Sequence, residues 1–226
     1  MRTRWPLLLL PLLTLCGVLS PAAAQLVERF RTDRTGAGEA ALRLAREALD
    51  STCLTRTHLA VPDHLPPLLY EHSGVFVSSQ VNGAPRCCMG WLRAHGSSLA
   101  ADIISAAGAA AAHDERFPPL RPAELAQIRL IVSVLDPPQA VTDPFALDPL
   151  TEGLAARSAL RTGVVLPGET SQTDRFVSWA LIRAAAREGE RVQYFRLQAI
   201  RYIEPAAVIL RSEATKDLVS EGGSPA

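Results

Sequence analysis

The dipeptide Asn82-Gly83 separates two runs of strand-forming residues and restricts the fold of this region more than any other local signal. Asn-Gly is a preferred pair for a two-residue type I′ turn, because both turn positions need positive φ angles. The flanking runs, 74–79 and 87–92, carry β-branched, aromatic and sulfur-containing side chains. The sequence therefore predicts an antiparallel hairpin in which Val81 pairs with Ala84.

Side chains alternate between the two faces of a strand, so this register divides the hairpin residues into two sets. The register places Val77 opposite Cys88. The face that we expect to point toward the core carries Phe76, Ser78, Cys87, Met89 and Trp91. The opposite face carries Val75, Val77, Ser79, Arg86, Cys88 and Gly90. Arg86 and Cys88 then lie side by side, although a β-bulge near Pro85 would change this assignment.

The rest of the chain alternates irregularly between helical and strand-like patterns. Apolar periodicity and capping residues predict helices at 38–51, 97–112 and 171–187, and a short helix at 122–127. Strands are predicted at 128–135, 154–159, 164–166 and, as one strand or two, 192–203. Without regular βαβ alternation, these elements indicate an α+β domain with a central, mostly antiparallel sheet flanked by helices.

The N-terminus has the features of a secretion signal. Arg2 and Arg4 precede an apolar run at 5–19, and the alanines at 22–24 form a cleavage site before Gln25. The run is shorter than the roughly 20 residues of a membrane-spanning helix. We therefore expect cleavage and a secreted or periplasmic protein, with contact to a membrane only if the segment is retained as an anchor.

Length and charge suggest one nearly neutral exported domain. About 200 residues follow the predicted signal, enough for a single core. We divide them into a loose leader at 25–37, a domain at 38–205 and a flexible tail at 206–226. The whole chain has 23 basic and 23 acidic residues, without a basic run after the signal, so nucleic-acid binding is not expected.

The three cysteines of the predicted mature chain are Cys53, Cys87 and Cys88. An odd number in an exported protein leaves at least one thiol free or bonded to another chain. A bridge from Cys53 to one of the other two is possible, and the sequence does not decide it. No C-x-x-C pattern or ligand spacing among the histidines indicates a metal, and no motif names a cofactor.

Several spaced motifs resemble the AMMECR domain family, of the type that occurs beside Memo-like and radical SAM proteins. The family's signature strand reads Leu-Arg-Gly-Cys-Ile-Gly, and residues 85–90 read Pro-Arg-Cys-Cys-Met-Gly. The resemblance continues in order through 112–120, 132–135, 163–167 and a closing strand at 202–204. It covers roughly residues 38–205.

This resemblance implies an α+β fold with a smaller subdomain, but it implies little about chemistry because the activity of the family is unsettled. Memo-like or radical SAM proteins are the partners that it suggests. The chain departs from the family pattern at Pro85 and Cys87 of the signature and in having an export signal. These departures weigh against transferring an intracellular role.

The signature cysteine aligns with Cys88, which gives the site two interpretations. Arg86 could stabilise a reactive Cys88 thiolate, with Asp114 orienting Arg86 or acting as acid or base. Alternatively, Cys88 is a small packed residue, and Asp114 pairs with Arg116 to tie a helix end to its loop. Candidate ligand-binding residues are Arg116, as a bidentate anion contact, together with His113 and Gly90.

Two functions follow. The first is a ligand- or protein-binding module with a cleft around Arg86 and Cys88. The alternative is a cysteine-dependent enzyme or redox protein that uses Cys88.

Overall fold

The computed structural model describes residues 26–205, so the predicted signal at 1–24 and the tail at 206–226 lie outside the described residues. The helices are α1 (Leu26–Thr32), α2 (Ala37–Thr55), α3 (Leu99–Ala112) and α4 (Thr173–Arg183). The strands are β1 (Gly74–Val81), β2 (Ala84–Trp91), β3 (Arg129–Leu135), β4 (Gln139–Val141), β5 (Gly153–Arg157), β6 (Thr162–Val165), β7 (Gln193–Leu197) and β8 (Ala199–Ile203). Short 3₁₀ helices span Pro67–Tyr70, Pro122–Glu124 and Pro144–Ala146. No described helix is both long and apolar enough to span a bilayer.

The strands form two four-stranded antiparallel sheets, which confirms the α+β class. The first sheet has the order β2-β1-β3-β8, and the second has the order β4-β7-β5-β6. Two adjacent strands of the first sheet, β3 and β8, continue into β4 and β7 of the second after three residues and one residue respectively. The Asp136 amide donates to the Gln198 carbonyl at 3.0 Å at this crossing, so one bent two-stranded ribbon joins the sheets.

Two helices cover one face of the first sheet. Helix α2 confirms the prediction at 38–51 and continues to Thr55. Helix α3 begins at the predicted cap, where Ser98 Oγ accepts from the Ala101 amide at 3.2 Å. Its small side chains allow a close approach to both α2 and the β1–β2 hairpin. The main core therefore lies between this helix pair and the first sheet.

The hairpin forms as predicted at its turn, but its register shifts next to Pro85. Asn82 and Gly83 adopt φ angles of 50° and 81°, and Val81 pairs with Ala84. Gln80 then pairs with Pro85 and Ser79 with Cys87, so Arg86 is the additional residue of a β-bulge. The predicted pairing of Val77 with Cys88 is wrong.

Because of the bulge, the residues of β1 that we expected on the core face lie on the opposite face, and the others lie on the core face. The faces of β2 from residue 87 onward are as predicted. The core face carries Val75, Val77, Ser79, Cys87, Met89 and Trp91. The opposite face carries Phe76, Ser78, Cys88 and Gly90. Two valines thus replace Phe76 and Ser78 in the core, as the preference of apolar β-branched side chains for burial requires.

The predicted loose leader is wrong over the described residues 26–32, which form α1. Leu26, Val27 and Phe30 are buried against the first sheet. The buried Asp136 carboxylate accepts from the Val27 amide at 3.1 Å, and the Tyr202 hydroxyl donates to the Phe30 carbonyl at 2.9 Å. Sequence patterns did not detect α1 because seven residues are too few to show a helical period.

The second sheet and α4 form the smaller subdomain that the resemblance implies. Phe176, Val177 and Ala180 of α4 pack with Leu154 and Val165 in a separate core. The predicted helix at 171–187 is shorter at both ends, and the predicted strand region at 192–203 is two strands that enter different sheets. Strand β4 lies between the predicted strands at 128–135 and 154–159, where no element was predicted.

Gly90 of β2 faces the backbone of β1 without room for a side chain, and we predict that Gly90→Ala destabilises the protein. An added Cβ would lie 2.1 Å from the Val75 carbonyl oxygen and 2.6 Å from Phe76 Cα. The expected loss in the free energy of unfolding is about 1–3 kcal/mol, measured by urea denaturation. Gly108→Ala is the control, because its Cβ meets only Thr52 Oγ1 at 3.1 Å and the helix gains propensity. Equal stability of the two variants would contradict the prediction.

Candidate functional site

A cleft of about 540 Å³ lies between the uncovered face of the first sheet and the β6–α4 side of the second. Its floor comes from the first sheet through Phe76, Ser78, Cys88 and Ile131. Its other wall comes from β6 and α4, and Leu166 and Glu169 close it from the following loop. The cleft is open to solvent and has the volume of a small-molecule site.

The β-bulge places Cys88 on the cleft face of β2 and Cys87 on its core face, although atoms of both residues contribute to the cleft lining. Cys88 stands opposite Ser78, whose hydroxyl donates to Cys88 Sγ at 3.1 Å. Cys87 stands opposite Ser79 on the core side, with their side chains 3.0 Å apart. The sequence predicted correctly that Cys88 lies on the face opposite Cys87. The predicted cross-strand partner of Cys88, Val77, is replaced by Ser78.

Arg86 does not accompany Cys88, and the predicted pairing of these two side chains is wrong. The Arg86 guanidinium donates to both carboxylate oxygens of Glu124, at 2.7 and 3.2 Å, and it lies 5.9 Å from the Phe117 ring centre. Hydrogen bonding to Arg86 lowers the pKa of Glu124 to about 2. Arg86 thus anchors β2 to the 3₁₀ helix at 122–124, and it is outside the cleft wall.

Asp114 and Arg116 form the structural pair of the second interpretation, and they do so around Cys88. The buried Asp114 carboxylate accepts from Arg116 Nε at 2.9 Å and Nη2 at 2.7 Å, and from the Cys88 amide at 2.8 Å. Arg116 Nη2 also donates to the Cys88 carbonyl at 3.2 Å. The pair therefore satisfies both backbone groups of Cys88 on the open edge of the sheet.

These contacts correct two predicted roles. Burial alone would raise the pKa of Asp114, but the hydrogen bonds from Arg116 and the Cys88 amide outweigh it and lower the pKa. An ionised Asp114 occupies the Arg116 fork, so this guanidinium does not offer a free bidentate site. Asp114 does not orient Arg86 either, because Arg86 contacts Glu124 instead.

The remaining ligand-binding candidates differ in their relation to the cleft. His113 follows the last turn of α3 and lines the cleft mouth, where it is exposed. Gly90 is not among the lining residues, and its lack of a side chain allows the close approach of the β1 backbone at Val75 and Phe76. We assign Gly90 a structural position rather than a ligand contact.

The environment of Cys88 favours the neutral thiol. Burial raises the pKa of Cys88, and the hydrogen bond from Ser78 and the charge of Arg116 offset this only in part. Burial likewise raises the pKa of Cys87 to about 11. All three described cysteines are free, and no group of three or more potential metal ligands occurs among residues 26–205.

Among the cleft-lining residues that sequence reasoning missed are four charged ones: Arg161, Glu169, Arg183 and Arg201. Arg183 Nη2 donates to Glu169 Oε2 at 2.7 Å, which joins α4 to the loop after β6. Arg201 lies on β8 between the core-packed Ile200 and Tyr202. The alternation of apolar residues 200 and 202 with Arg201 in the sequence could have indicated an arginine on the outer face of the strand. It does not indicate that this face borders the cleft.

The two antiparallel sheets, the flanking helices and the intervening cleft define an α+β domain that could accommodate a small ligand. A family model described as AMMECR1 matches residues 42–204, and the chain belongs to this family. The resemblance of the signature segment is thereby confirmed.

Relatives with this domain come from archaea and bacteria. A protein of Thermococcus gammatolerans is 36% identical over 141 residues, covering 58% of this chain and 68% of its own. A protein of Thermofilum pendens is 31% identical over 197 residues, covering 76% and 92%, and one of Thermotoga maritima is 38% identical over 109 residues, covering 47% and 63%. The crystal structure of an uncharacterized Pyrococcus horikoshii protein gives a TM-score of 0.67 at 26% identity, covering 75% of this chain and 92% of that one.

The hydrogen bonds of Asp114 to the Cys88 amide and to Arg116 lead to a stability prediction. Asp114→Ala leaves the Cys88 amide and the Arg116 guanidinium without their acceptor, so we expect a loss of about 1–3 kcal/mol in the free energy of unfolding. The neighbouring Glu115→Ala removes an exposed carboxylate and should change it by less than about 0.5 kcal/mol. Urea denaturation measures both, and a smaller loss for Asp114→Ala than for Glu115→Ala would refute the role of Asp114.

The raised pKa of Cys88 predicts slow alkylation. In a Cys87→Ser background, where the peptide reports Cys88 alone, iodoacetamide at pH 7.5 should modify the folded protein more slowly than the urea-unfolded protein, because the thiolate is the reactive form. Mass spectrometry of the peptide measures both rates. Faster modification of the folded protein would indicate an activated thiolate and support the cysteine-dependent enzyme.

Proposed function

We propose that this AMMECR1-family domain is an exported binding module that holds a small organic ligand in the cleft between its sheets. The observation that carries the proposal is the cleft of about 540 Å³, whose floor combines apolar side chains with hydrogen-bonding groups. Such a mixture is typical of sites where apolar contacts supply affinity and a few polar groups fix orientation. The export part of the proposal rests on the sequence of residues 1–24 alone.

The state of Cys88 favours binding over thiol catalysis. A nucleophilic cysteine needs a lowered pKa, which neighbouring cations or a base provide. Here burial dominates and raises the pKa, Arg86 is held by Glu124, and Arg116 is held by Asp114. Cys88 then serves as a weakly polar part of the cleft floor. A protein partner of the Memo-like or radical SAM type stays a prediction from the family resemblance.

The cleft wall offers a direct test of binding. Thr162 lines the cleft from β6, on the strand face opposite Gly163, which packs on α4. Thr162→Trp should fill the cleft with its indole ring. Gln193→Trp is the matched control, because Gln193 is exposed on β7 and lines none of the described pockets.

Binding is measured with two pairs of small probes, benzoate with benzyl alcohol and hexanoate with hexan-1-ol, by titration of backbone amide resonances. We expect at least one probe to shift the Cys88 and Val164 resonances while leaving His95 unchanged. That shift should disappear in Thr162→Trp and persist in Gln193→Trp. If no probe shifts these resonances, or if Thr162→Trp leaves the shifts intact, the proposed site is wrong.

A further inference from the structure

Arg201 occupies an unusual position for a charged residue, in the middle of a strand whose outer face borders the cleft. In the first sheet, Arg201 pairs with Ser133 of β3, and Ser133 pairs with Phe76 of β1, which in turn faces Gly90 of β2. These four residues form one row across the sheet, in which large side chains (Arg201 and Phe76) alternate with small residues (Ser133 and Gly90). The small residue Ser133 leaves room between the ring of Phe76 and the side chain of Arg201, and both of these line the cleft.

The hydrogen bonds of Arg201 are incomplete within the described residues. Nη1 donates to the Pro167 carbonyl, whereas Nε is buried and has no partner. The hydroxyl of Ser133, on the paired strand, is also buried without a partner. Burial lowers the pKa of Arg201, which is the expected response of a cation without full compensation.

The charges around Arg201 leave one positive charge without a counterion. The nearby carboxylate of Glu169 is already engaged, since its Oε2 accepts from Arg183 at 2.7 Å and its Oε1 from the Leu166 amide at 2.7 Å. Arg201 forms no ion pair within 4 Å in the described part of the chain. Because a buried charge is costly unless it is paired, the group of Arg183, Glu169 and Arg201 favours one incoming negative charge.

Apolar residues line part of the cleft that Arg201 borders. Phe76, Ile131 and Leu166 contribute to its wall. Among the other charged residues of the lining, Arg116 pairs with Asp114 and Arg183 with Glu169. The exposed Arg161 and Glu115 carry opposite charges, so Arg201 accounts for the remaining positive charge. A ligand that fits this surface has a single anionic end and a hydrocarbon or aromatic body.

We propose that Arg201 binds the carboxylate of a small organic acid whose apolar body lies against Phe76, Ile131 and Leu166. This inference rests on the proposed function of the cleft and names its ligand class. A planar carboxylate matches the guanidinium in shape and carries the one negative charge that this group lacks. A phosphate monoester carries about −1.5 to −2 charges near neutral pH, more than the local surplus.

The experiment compares the carboxylate and alcohol members of each probe pair on the wild-type protein, with phenyl phosphate added. Dissociation constants come from the amide titration. We expect benzoate or hexanoate to bind at least about tenfold more tightly than its alcohol, which is the size of effect that a hydrogen bond to a charged group provides. Arg201→Gln should abolish this preference, while Arg43→Gln, the same charge change on the exposed face of α2, should preserve it.

The outcomes of the titration test the role of Arg201 separately from the proposed function of the cleft. Equal binding of acids and alcohols in the cleft, or an acid preference that survives Arg201→Gln, would refute the role of Arg201 while keeping the cleft as a binding site. Tighter binding of phenyl phosphate than of benzoate would refute the carboxylate class. Absence of any binding would refute both proposals.

The folding of the variant is checked by its melting temperature without probes. Replacement of Arg201 removes the hydrogen bond to the Pro167 carbonyl but also removes an unpaired charge, so the melting temperature should change little. Arg201→Met, which keeps an apolar stem, replaces Arg201→Gln in the titration if the glutamine variant does not fold. A marked fall in the melting temperature of both variants would show that Arg201 mainly stabilises the fold through its contact with the Pro167 carbonyl, and it would overturn the inference.

Discussion

The irregular pairing of β1 with β2 decides which chemical groups face the cleft. One additional residue at Arg86 places Val75 and Val77 in the core and brings Phe76, Ser78 and Cys88 to the opposite face. The Asp114–Arg116 pair then fixes the edge of β2 by hydrogen bonding to both backbone groups of Cys88. A regular ladder would exchange these sets of side chains, since a shift of one residue turns every side chain of a strand to the other face.

The balance of burial and charge at Cys88 has a general physical basis. A cation near a thiol stabilises the thiolate only if its charge is not neutralised locally. Arg86 of the signature segment pairs with Glu124, and Arg116, which contacts the backbone of Cys88, pairs with Asp114. Desolvation is then the largest influence on the thiol. The cleft consequently contains a neutral sulfur and, at Arg201, a cation without a counterion.

Local signals in the sequence were sufficient for the elements that local physics determines. The Asn82-Gly83 turn, the long helix α2 and the capped start of α3 form as predicted, because turn geometry, apolar periodicity and capping depend on neighbouring residues. A bulge near Pro85 was an open alternative that the sequence did not decide. The partner of Arg86 and the place of Arg201 beside the cleft were not predictable, since they depend on contacts between distant segments. Glu124 lies 38 residues from Arg86, and Arg201 reaches the cleft only because β8 pairs with β3.

The ribbon that joins the two sheets restricts how the molecule can adapt to an occupant. A single residue, Gln198, separates β7 from β8, and its carbonyl is held by the Asp136 amide of the neighbouring strand. Hinge motions need a few residues that can absorb large changes in φ and ψ. The other connection has three residues, of which Pro137 and Pro138 have restricted φ angles, so the crossing offers few such torsions. The walls of the cleft are therefore preformed, and selection among occupants falls on their size and shape before any closure.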